Sequence, residues 1–356
     1  MNLKKVAALI LSASLLTGLV GCGSSTTNTD TSQKKETKQT VENSAFKDAE
    51  KKLMDSLAPL PKPIKQYKLA ALEITLANPF WVTVKEGYED AAKEYKVSCD
   101  IMAAPKEDDV NSQLETFKTL IGKDYDGIAI SSITPFNLIP GVAEANKKKI
   151  PVVAVGTSID DKKGKEANAK VQAFITSNFE DQGKVGGEFI VNKINSGKVA
   201  IIEGMAGAAQ SEARKNGAKK AFEANKNIRI VSVQAGNWDR KKAYDIATNL
   251  IQANPDLKGI FCANDMMALG VVDALKAANK KDQVAVVGVD FIDEAKKSIE
   301  NKELDATVAM SPYLFGKGGL ILALKVLEGQ EINKDIYWTP IAVVNNENVK
   351  TFDGWK

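Results

Sequence analysis

Short apolar runs alternate with longer amphipathic stretches from Lys68 to Met310, and this alternation limits the chain to very few folds. The stretches between the runs, such as DVNSQLETFKTLI and KKAYDIATNLIQA, repeat apolar residues at helical spacing. The runs have the length and composition of buried strands and occupy residues 68–74, 97–103, 127–131, 151–155, 173–177, 198–203, 228–234, 259–263, 284–289 and 306–310. Continuous apolar strands separated by helices predict parallel sheets that helices cover on both faces.

The number of strands predicts two lobes rather than one. Ten strands in about 290 residues exceed what a single hydrophobic core normally organises, so we expect an α/β protein with two doubly wound parallel-sheet lobes. No long flexible linker divides the two halves, and the most polar interruption is 156–173. We expect the chain to cross between the lobes for the first time just after this interruption. The arrangement predicts a hinge with a cleft between the lobes.

The first 21 residues have the pattern of an export signal. A positive MNLKK segment precedes an apolar stretch at 6–20, which is short for a bilayer span of roughly 20 residues, so a permanent transmembrane anchor is the less favoured alternative. The stretch ends in LVGC, which resembles the lipobox of bacterial lipoproteins, in which the cysteine becomes the lipidated first residue. We therefore expect an extracytoplasmic protein that is anchored to the cell membrane through lipid on Cys22.

The segment 22–66 is predicted to be a disordered tether that contains one short helix. Residues 23–41 are rich in Ser, Thr, Lys and Gln and have almost nothing apolar to bury. Phe46, Leu53, Met54 and Leu57 then recur near helical spacing before prolines end the pattern. We expect this short helix to lie on the main body.

Composition excludes several classes of function. Removal of the signal takes away Lys4 and Lys5 and lowers the formal net charge from +3 to +1, which gives no electrostatic case for nucleic acid and favours a neutral partner. The chain has no histidine, so a histidine base, a catalytic triad and a His-ligated zinc site are excluded. Cys99 and Cys262 lie in apolar runs, where buried thiols are favoured over a disulfide.

Catalysis is also disfavoured. None of the motifs G-x-S-x-G, G-x-G-x-x-G or G-x-x-x-x-G-K-[ST] is present, and the acidic residues at strand ends are not evidently paired for glycoside hydrolysis. The loop pattern D-x-[DN]-x-[DN]-G of calcium sites is missing as well. We therefore expect a binding protein without a metal or cofactor.

The ends of the predicted strands provide the candidate binding residues, because open parallel sheets bind ligands beyond the carboxyl ends of their strands. After 68–74, Asn78 is a good helix cap and Pro79 suits the first helical position, so Phe80 and Trp81 fall in the first turn at the cleft mouth. Trp238 occupies the equivalent place after 228–234. For these aromatics, packing in a core remains the alternative. Aromatic faces from two lobes are suited to stacking on a sugar ring.

Polar residues follow other strands. Asn264 and Asp265 end one run and Asp290 another; we expect Asp265 to cap the next helix, while Asn264 and Asp290 point into the cleft. Gln210 and Arg214 are four apart and share a helix face, although an exposed surface arginine is the alternative. Amide, carboxylate and guanidinium groups around aromatic faces suit a polyhydroxylated ring.

From about Lys68 to Val349 the chain resembles the ribose-binding-like and glucose/galactose-binding-like substrate-binding proteins of bacterial ABC sugar importers. The segments NPFW, GMAGAAQSEARKNG, NWD, ANDMMALG and VVGVD occur in the family's order. The resemblance implies a type I periplasmic-binding fold with a hinge of three crossings, in which 67–177 plus 311–338 form the N-terminal lobe and 178–310 plus 339–356 the C-terminal lobe. It also implies a monomer that closes on one sugar or polyol and presents it to a membrane permease.

The resemblance carries ligand-binding roles to Asn78, Phe80, Trp81, Arg214, Trp238, Asn264 and Asp290. The chain departs from the family elsewhere. Gly156 and Thr157 replace an Asp-Arg or Asn-Lys pair, Met310 replaces a Gln or Asn, and Gln210 stands where glucose/galactose binders have Asp. With fewer hydroxyl-binding groups, a less hydroxylated, deoxy, furanose or cyclitol-like ligand fits better than ribose, glucose or galactose. Thr157 and Glu73 are candidates to compensate, and Gln210 and Met310 are further candidate contacts.

Two other roles use the same fold. A repressor would carry a DNA-binding helix-turn-helix where this chain has its signal and tether, so that role is disfavoured. A receptor for chemotaxis or sensor-kinase signalling would bind its ligand in the same way, and this alternative stays open.

Overall fold

The computed structural model describes residues 44–352. Its strands are β1 (Lys68–Thr75), β2 (Ser98–Ala104), β3 (Gly127–Ile130), β4 (Val152–Val155), β5 (Ala173–Thr176), β6 (Gly197–Glu203), β7 (Ile228–Ala235), β8 (Leu257–Cys262), β9 (Ala285–Asp290), β10 (Ala306–Met310), β11 (Tyr337–Trp338) and β12 (Ile341–Asn345). Its α-helices are α1 (Ser44–Leu57), α2 (Pro79–Tyr95), α3 (Val110–Ile121), α4 (Ile139–Lys147), α5 (Asp161–Glu166), α6 (Phe179–Ile194), α7 (Ala209–Glu223), α8 (Arg240–Ala253), α9 (Asp265–Ala277), α10 (Asp293–Glu300) and α11 (Pro312–Leu327).

The strands form two six-stranded sheets, which confirms the prediction of two α/β lobes. The order is β11-β5-β4-β3-β1-β2 in one sheet and β12-β10-β9-β8-β6-β7 in the other. All ten predicted strands are present, and the short strands β11 and β12 were not predicted. Pairing is parallel except between β10 and β12, which run antiparallel.

The chain passes between the lobes three times in the described residues. The first passage follows β5: the next helix, α6, packs on α7, β8 and β9 of the second lobe. The chain returns between β10 and α11, which packs on α2 and on β3, β4 and β5. The third passage joins β11 to β12, and these three segments form the hinge.

The central strands of both sheets are buried on both faces, as the continuous apolar runs predict, whereas the edge strands β2 and β7 are partly exposed. β3, β4, β9 and β10 are buried along their whole length. Both cysteines are free thiols in the structure; Cys262 is buried, as predicted, whereas Cys99 is partly buried.

The predicted short helix exists as α1 and docks on α11. Leu53 and Leu57 are buried in the core of the first lobe. The Lys325 ammonium group, on a residue that is 2% exposed, donates to the carbonyl of Leu57 at 2.9 Å and to that of Pro59 at 2.7 Å. Lys317 pairs with Glu50 at 2.9 Å. This part of the predicted tether is therefore a fixed part of the lobe.

The predicted signal peptide, Cys22 and residues 23–43 lie outside the described residues, as do 353–356. Within residues 44–352, no helix is long and apolar enough to cross a bilayer.

Candidate ligand-binding site

A narrow cavity lies between the carboxyl ends of the two sheets. Its walls are formed by Asn78, Phe80, Trp81, Glu107, Gly156, Thr157, Phe179, Gln210, Arg214, Trp238, Asn264, Asp290 and Phe315. The structure therefore brings together all seven residues assigned by the resemblance, with Thr157 and Gln210.

The aromatic wall of the first lobe begins at the cap of α2. Asn78 has extended backbone dihedral angles and its Oδ1 accepts from the Phe80 amide at 3.0 Å, and Pro79 takes the first helical position. Phe80 lies edge to face with Trp81 at 5.1 Å and with Phe315 at 6.0 Å between ring centroids. Phe80 and Trp81 are 7% and 5% exposed. Core and cleft are therefore not alternatives for Phe80 and Trp81, because both residues pack in the core of the lobe and also line the cavity.

Trp238 provides an aromatic wall from the second lobe. It follows β7 in a tight left-handed turn, with φ of 54° at Asn237 and 65° at Trp238, and Asp239 then caps α8. Its ring lies against Gly204, where an added Cβ would come within 2.1 Å of a ring carbon. The glycine after β6 thus creates the space in which the indole lies.

Arg214 is buried, which excludes the alternative of a surface arginine. It is 5% exposed, its Nε donates to Gln182 Oε1 at 2.7 Å, and its Nη1 donates to the Ala263 carbonyl at 2.8 Å. Its Nη2 lies 3.5 Å from Asp290 Oδ1, and the guanidinium is 5.3 Å from the centroid of the Phe179 ring. These contacts hold the guanidinium at one edge of the cavity.

A close helix crossing sets the position of Arg214. A Cβ on Gly183 of α6 would lie 1.9 Å from the Arg214 carbonyl oxygen, and one on Gly217 of α7 would lie 2.0 Å from that of Glu180. The two glycines let the backbones of α6 and α7 touch. Gln182 on α6 thereby reaches the arginine side chain on α7.

The prediction for Asp265 is wrong, because Asn264 caps α9. Asn264 Oδ1 accepts from the Met267 amide at 2.9 Å, while its buried Nδ2 has no partner among the described residues. Asp265 occupies the first helical position and turns away from the cavity. Its carboxylate accepts from Thr307 Oγ1 at 2.6 Å and from the Ile292 amide at 3.0 Å. Asn264 therefore keeps a donor for the cavity while it caps the helix.

Asp290 ends β9 in an unusual backbone conformation. Its φ is 120° and that of Phe291 is 63°, values that L-residues rarely adopt. Burial raises the pKa of Asp290 to about 7, and Arg214 opposes that increase. The strained turn therefore holds a buried carboxyl group beside Arg214 at the cavity edge.

Glu107, in the loop between β2 and α3, was missed by the sequence analysis. Its Oε1 accepts from Asn78 Nδ2 at 3.1 Å. Glu107 is partly buried, and its removal from water raises its pKa to about 7; the hydrogen bond from Asn78 and the charge of Arg214 oppose the increase, and Asp290 adds to it. The strand-end rule points to this loop, because it follows β2, but it does not single out Glu107 from its neighbours Asp108 and Asp109. Phe179 and Phe315 were missed because they belong to helices that start at hinge crossings.

Thr157 and Gln210 complete the polar lining. Thr157 Oγ1 donates to the Ser132 carbonyl at 2.7 Å and keeps its lone pairs. The buried Oε1 of Gln210 has no partner among the described residues. Both residues can therefore accept from a ligand.

Glu73 and Met310 do not line the cavity. Glu73 is fully buried on β1, where it interacts electrostatically with Lys85 and Glu89 of α2, and burial raises its pKa well above the ordinary value. Met310 lies behind Arg214, and its Sδ accepts from Gln182 Nε2 at 3.2 Å. The structure thus assigns Met310 to the support of the arginine.

A cavity enclosed by two hinged, doubly wound lobes, with aromatic walls and a charged edge, defines a solute-binding protein of the periplasmic type. Residues 74–331 match the periplasmic binding protein domain family, and the chain belongs to the type I periplasmic sugar-binding proteins.

Individual relatives agree with this assignment. The chain is 47% identical to the D-allose-binding periplasmic protein of Escherichia coli over 250 residues, which cover 70% of this chain and 80% of the relative. It is 31% identical to the ribose import binding protein of Bacillus subtilis over 273 residues, 76% of this chain and 85% of that protein. The crystal structure of an ABC transporter periplasmic solute binding protein from Actinobacillus succinogenes with bound D-allose has a TM-score of 0.77 and 30% identity, and the match covers 80% of this chain and 100% of that one.

Proposed function

We propose that this protein captures a monosaccharide or a sugar-like polyol in the cavity between its lobes and delivers it to the permease of an ABC importer. The observation that carries the proposal is that both lobes contribute to one buried cavity, with Phe80 and Trp81 on one side and Trp238 and Arg214 on the other. Only the closed arrangement offers a ligand both sets of contacts. Ligand binding therefore shifts the population towards closure, which gives the permease a signal to recognise.

The polar groups of the second lobe suit the edge of a ring. Asn264 Nδ2 is a donor and Gln210 Oε1 an acceptor, each buried without a partner among the described residues. Arg214 and Asp290 add a charged donor and a charged acceptor. Hydrogen bonds to charged groups contribute roughly 1.5 to 3 kcal/mol each, so these few are enough to select a ligand.

The first lobe limits which ring is taken. Gly156 and Thr157 contribute little beyond one hydroxyl, and Met310 lies behind Arg214 rather than in the cavity. Relatives named for D-allose and ribose make these the first sugars to test. The small number of polar groups at Gly156, Thr157 and Met310 favours a less hydroxylated, deoxy or cyclitol-like ligand.

Titration calorimetry with D-allose, D-ribose, 6-deoxy-D-allose and myo-inositol tests this function. We expect one or more to bind with a stoichiometry of one, and Trp238→Ala to weaken that binding. If no sugar or polyol binds the folded protein, the proposal is wrong.

We further propose that lipid on Cys22 anchors the protein on the outer side of the cell membrane. The support is the LVGC segment after an apolar stretch, and the relatives are periplasmic binding proteins. Labelling cells with a radioactive fatty acid should mark the wild-type protein and leave Cys22→Ala unmarked. A label that survives this substitution would contradict the proposed attachment.

A further inference from the structure

We propose that Lys215 positions the aromatic wall of the second lobe, and that ligand affinity depends on this lysine although it is not one of the residues that form the cavity walls. The inference rests on the proposed function, since it names a further residue on which binding in the same cavity depends. It is carried by an ion-pair network at the end of β6, next to the backbone on which the Trp238 indole lies.

Lys215, on α7, holds two carboxylates together. Its Nζ lies 2.6 Å from Glu203 Oε2 and 2.6 Å from Glu212 Oε2. Glu203 is the last residue of β6, and Glu212 lies three residues before the lysine on the same helix. Glu203 Oε2 is buried and has no other partner among residues 44–352. Removal of the lysine would therefore leave a buried oxygen of a carboxylate without its cation.

The same network fastens both ends of the loop 204–208. The lysine holds Glu203 at one end, and at the other end Glu212 Oε1 accepts from the Gly207 amide at 3.0 Å. Ala208 begins α7 as its cap and has no side-chain acceptor for the first amides of the helix. A carboxylate in the first turn is favourable there and binds the loop to the helix. The ion pairs thus make β6, the loop and α7 one rigid unit.

The turn that carries Trp238 is attached to this unit. The Gly236 amide donates to the Glu203 carbonyl at 2.8 Å. The Asn237 amide donates to the Gly204 carbonyl at 3.3 Å, and the indole lies against Gly204 itself. The end of β6 therefore supports both the backbone and the ring of Trp238, and a shift of this strand end would displace the aromatic wall.

A double-mutant cycle tests the inference by titration calorimetry with the tightest ligand of the sugar panel. Lys215→Met should weaken binding ten-fold or more in the wild-type background. In the Trp238→Ala background it should weaken binding by less than about three-fold, because a wall that is absent cannot be displaced. Lys215→Arg keeps a cation that can bridge both carboxylates and should bind within about three-fold of the wild type.

Lys219→Met is the matched control. Lys219 lies one turn further along α7 in an exposed ion pair with Glu223 at 3.6 Å, and its loss should leave the affinity unchanged. Circular dichroism and thermal unfolding would verify that each variant is folded, and Lys215→Gln replaces the methionine variant if that one does not fold.

Hydrogen exchange provides a second measurement that needs no ligand. The amides of Gly236 and Asn237 donate to the strand end that the lysine fixes, so they should exchange faster in Lys215→Met than in Lys219→Met. Unchanged exchange at these amides would contradict the inference.

The outcomes separate this inference from the proposed function. If Lys215→Met binds like the wild type, or weakens binding equally in the two backgrounds, the lysine does not act through Trp238 and the inference is wrong while the proposed function stands. If no sugar or polyol binds the wild-type protein, the proposed function fails, and the inference fails with it.

Discussion

The indole ring of Trp238 lies against the backbone of Gly204, and a single added carbon on that glycine would come within 2.1 to 2.4 Å of three ring atoms. The two residues follow neighbouring strands, β6 and β7, at the same end of the sheet. The position of the aromatic wall in the second lobe therefore depends on a residue that has no side chain.

Gly204→Ala should weaken ligand binding ten-fold or more, because the indole must move away from the new methyl group. Calorimetric titration with the tightest ligand of the sugar panel measures the effect. Gly122→Ala is the control, since a Cβ there meets nothing closer than 3.4 Å, and it should bind normally. Unchanged affinity in Gly204→Ala would show that the indole position does not matter for binding.

Trp238→Ala should weaken binding more strongly than Gly204→Ala and leave the protein folded. Loss of the aromatic contact is expected to cost about 2 kcal/mol, or roughly thirty-fold in affinity. Far-ultraviolet circular dichroism should be unchanged. Retention of wild-type affinity would exclude stacking on this residue.

Gln182→Leu should weaken binding ten-fold or more without touching the cavity lining. Gln182 accepts from Arg214 Nε at 2.7 Å and donates to Ser177 Oγ at 2.6 Å, so it links the arginine to the first hinge crossing. Gln182→Glu keeps an acceptor for the guanidinium and should bind more tightly than the leucine variant. Equal affinity in the two variants would contradict this supporting role.

The affinity for a neutral sugar such as D-allose should fall as pH rises from 5 to 8. Removal from water raises the pKa of Glu107 and of Asp290 to about 7, above the ordinary carboxyl range, and Arg214 opposes the increase at both. Asp290 is buried with Asp265 near it, whereas Glu107 is partly buried. The closed state thus binds more protons than an open, solvated one, and protons favour closure. Titrations at several pH values should show a decrease of about ten-fold or more, and Glu107→Gln should show a smaller one. An affinity independent of pH would contradict the raised pKa values.

Lys325→Met should destabilise the protein while leaving ligand affinity unchanged. The buried ammonium group holds two carbonyls at the end of α1, and its loss leaves these acceptors without their donor. We expect the free energy of unfolding in urea to fall by about 1 to 3 kcal/mol and residues 44–66 to become sensitive to protease. Lys52→Met, at an exposed lysine of α1 itself, is the control and should have little effect on either measurement. Wild-type stability in Lys325→Met would show that these two hydrogen bonds do not contribute to the docking of α1.

The fold was predictable because its signals are local. Ten apolar runs and the cap at Asn78 specify strands and helix starts from neighbouring residues alone. β11 and β12 were not predictable in this way, since two and five residues become strands only through pairing with β5 and β10, which are distant in sequence.

The site was predictable only in part. The strand-end rule found residues from both lobes, but the cap was wrongly assigned to Asp265 instead of Asn264, because both are good cap residues and the choice depends on the contacts of Asp265 with Thr307 and Ile292. Glu107 lies in the acidic segment KEDD, where the sequence does not show which carboxylate turns into the cavity. That information is in the tertiary contact with Asn78.

A crystal structure with the tightest ligand of the sugar panel would show directly whether both lobes hold the ligand. We expect a ring held between Phe80 and Trp81 of one lobe and Trp238 of the other, with Arg214 and Asp290 within hydrogen-bond distance of its edge. A ligand that contacts one lobe alone, or that lies outside this cavity, would contradict it.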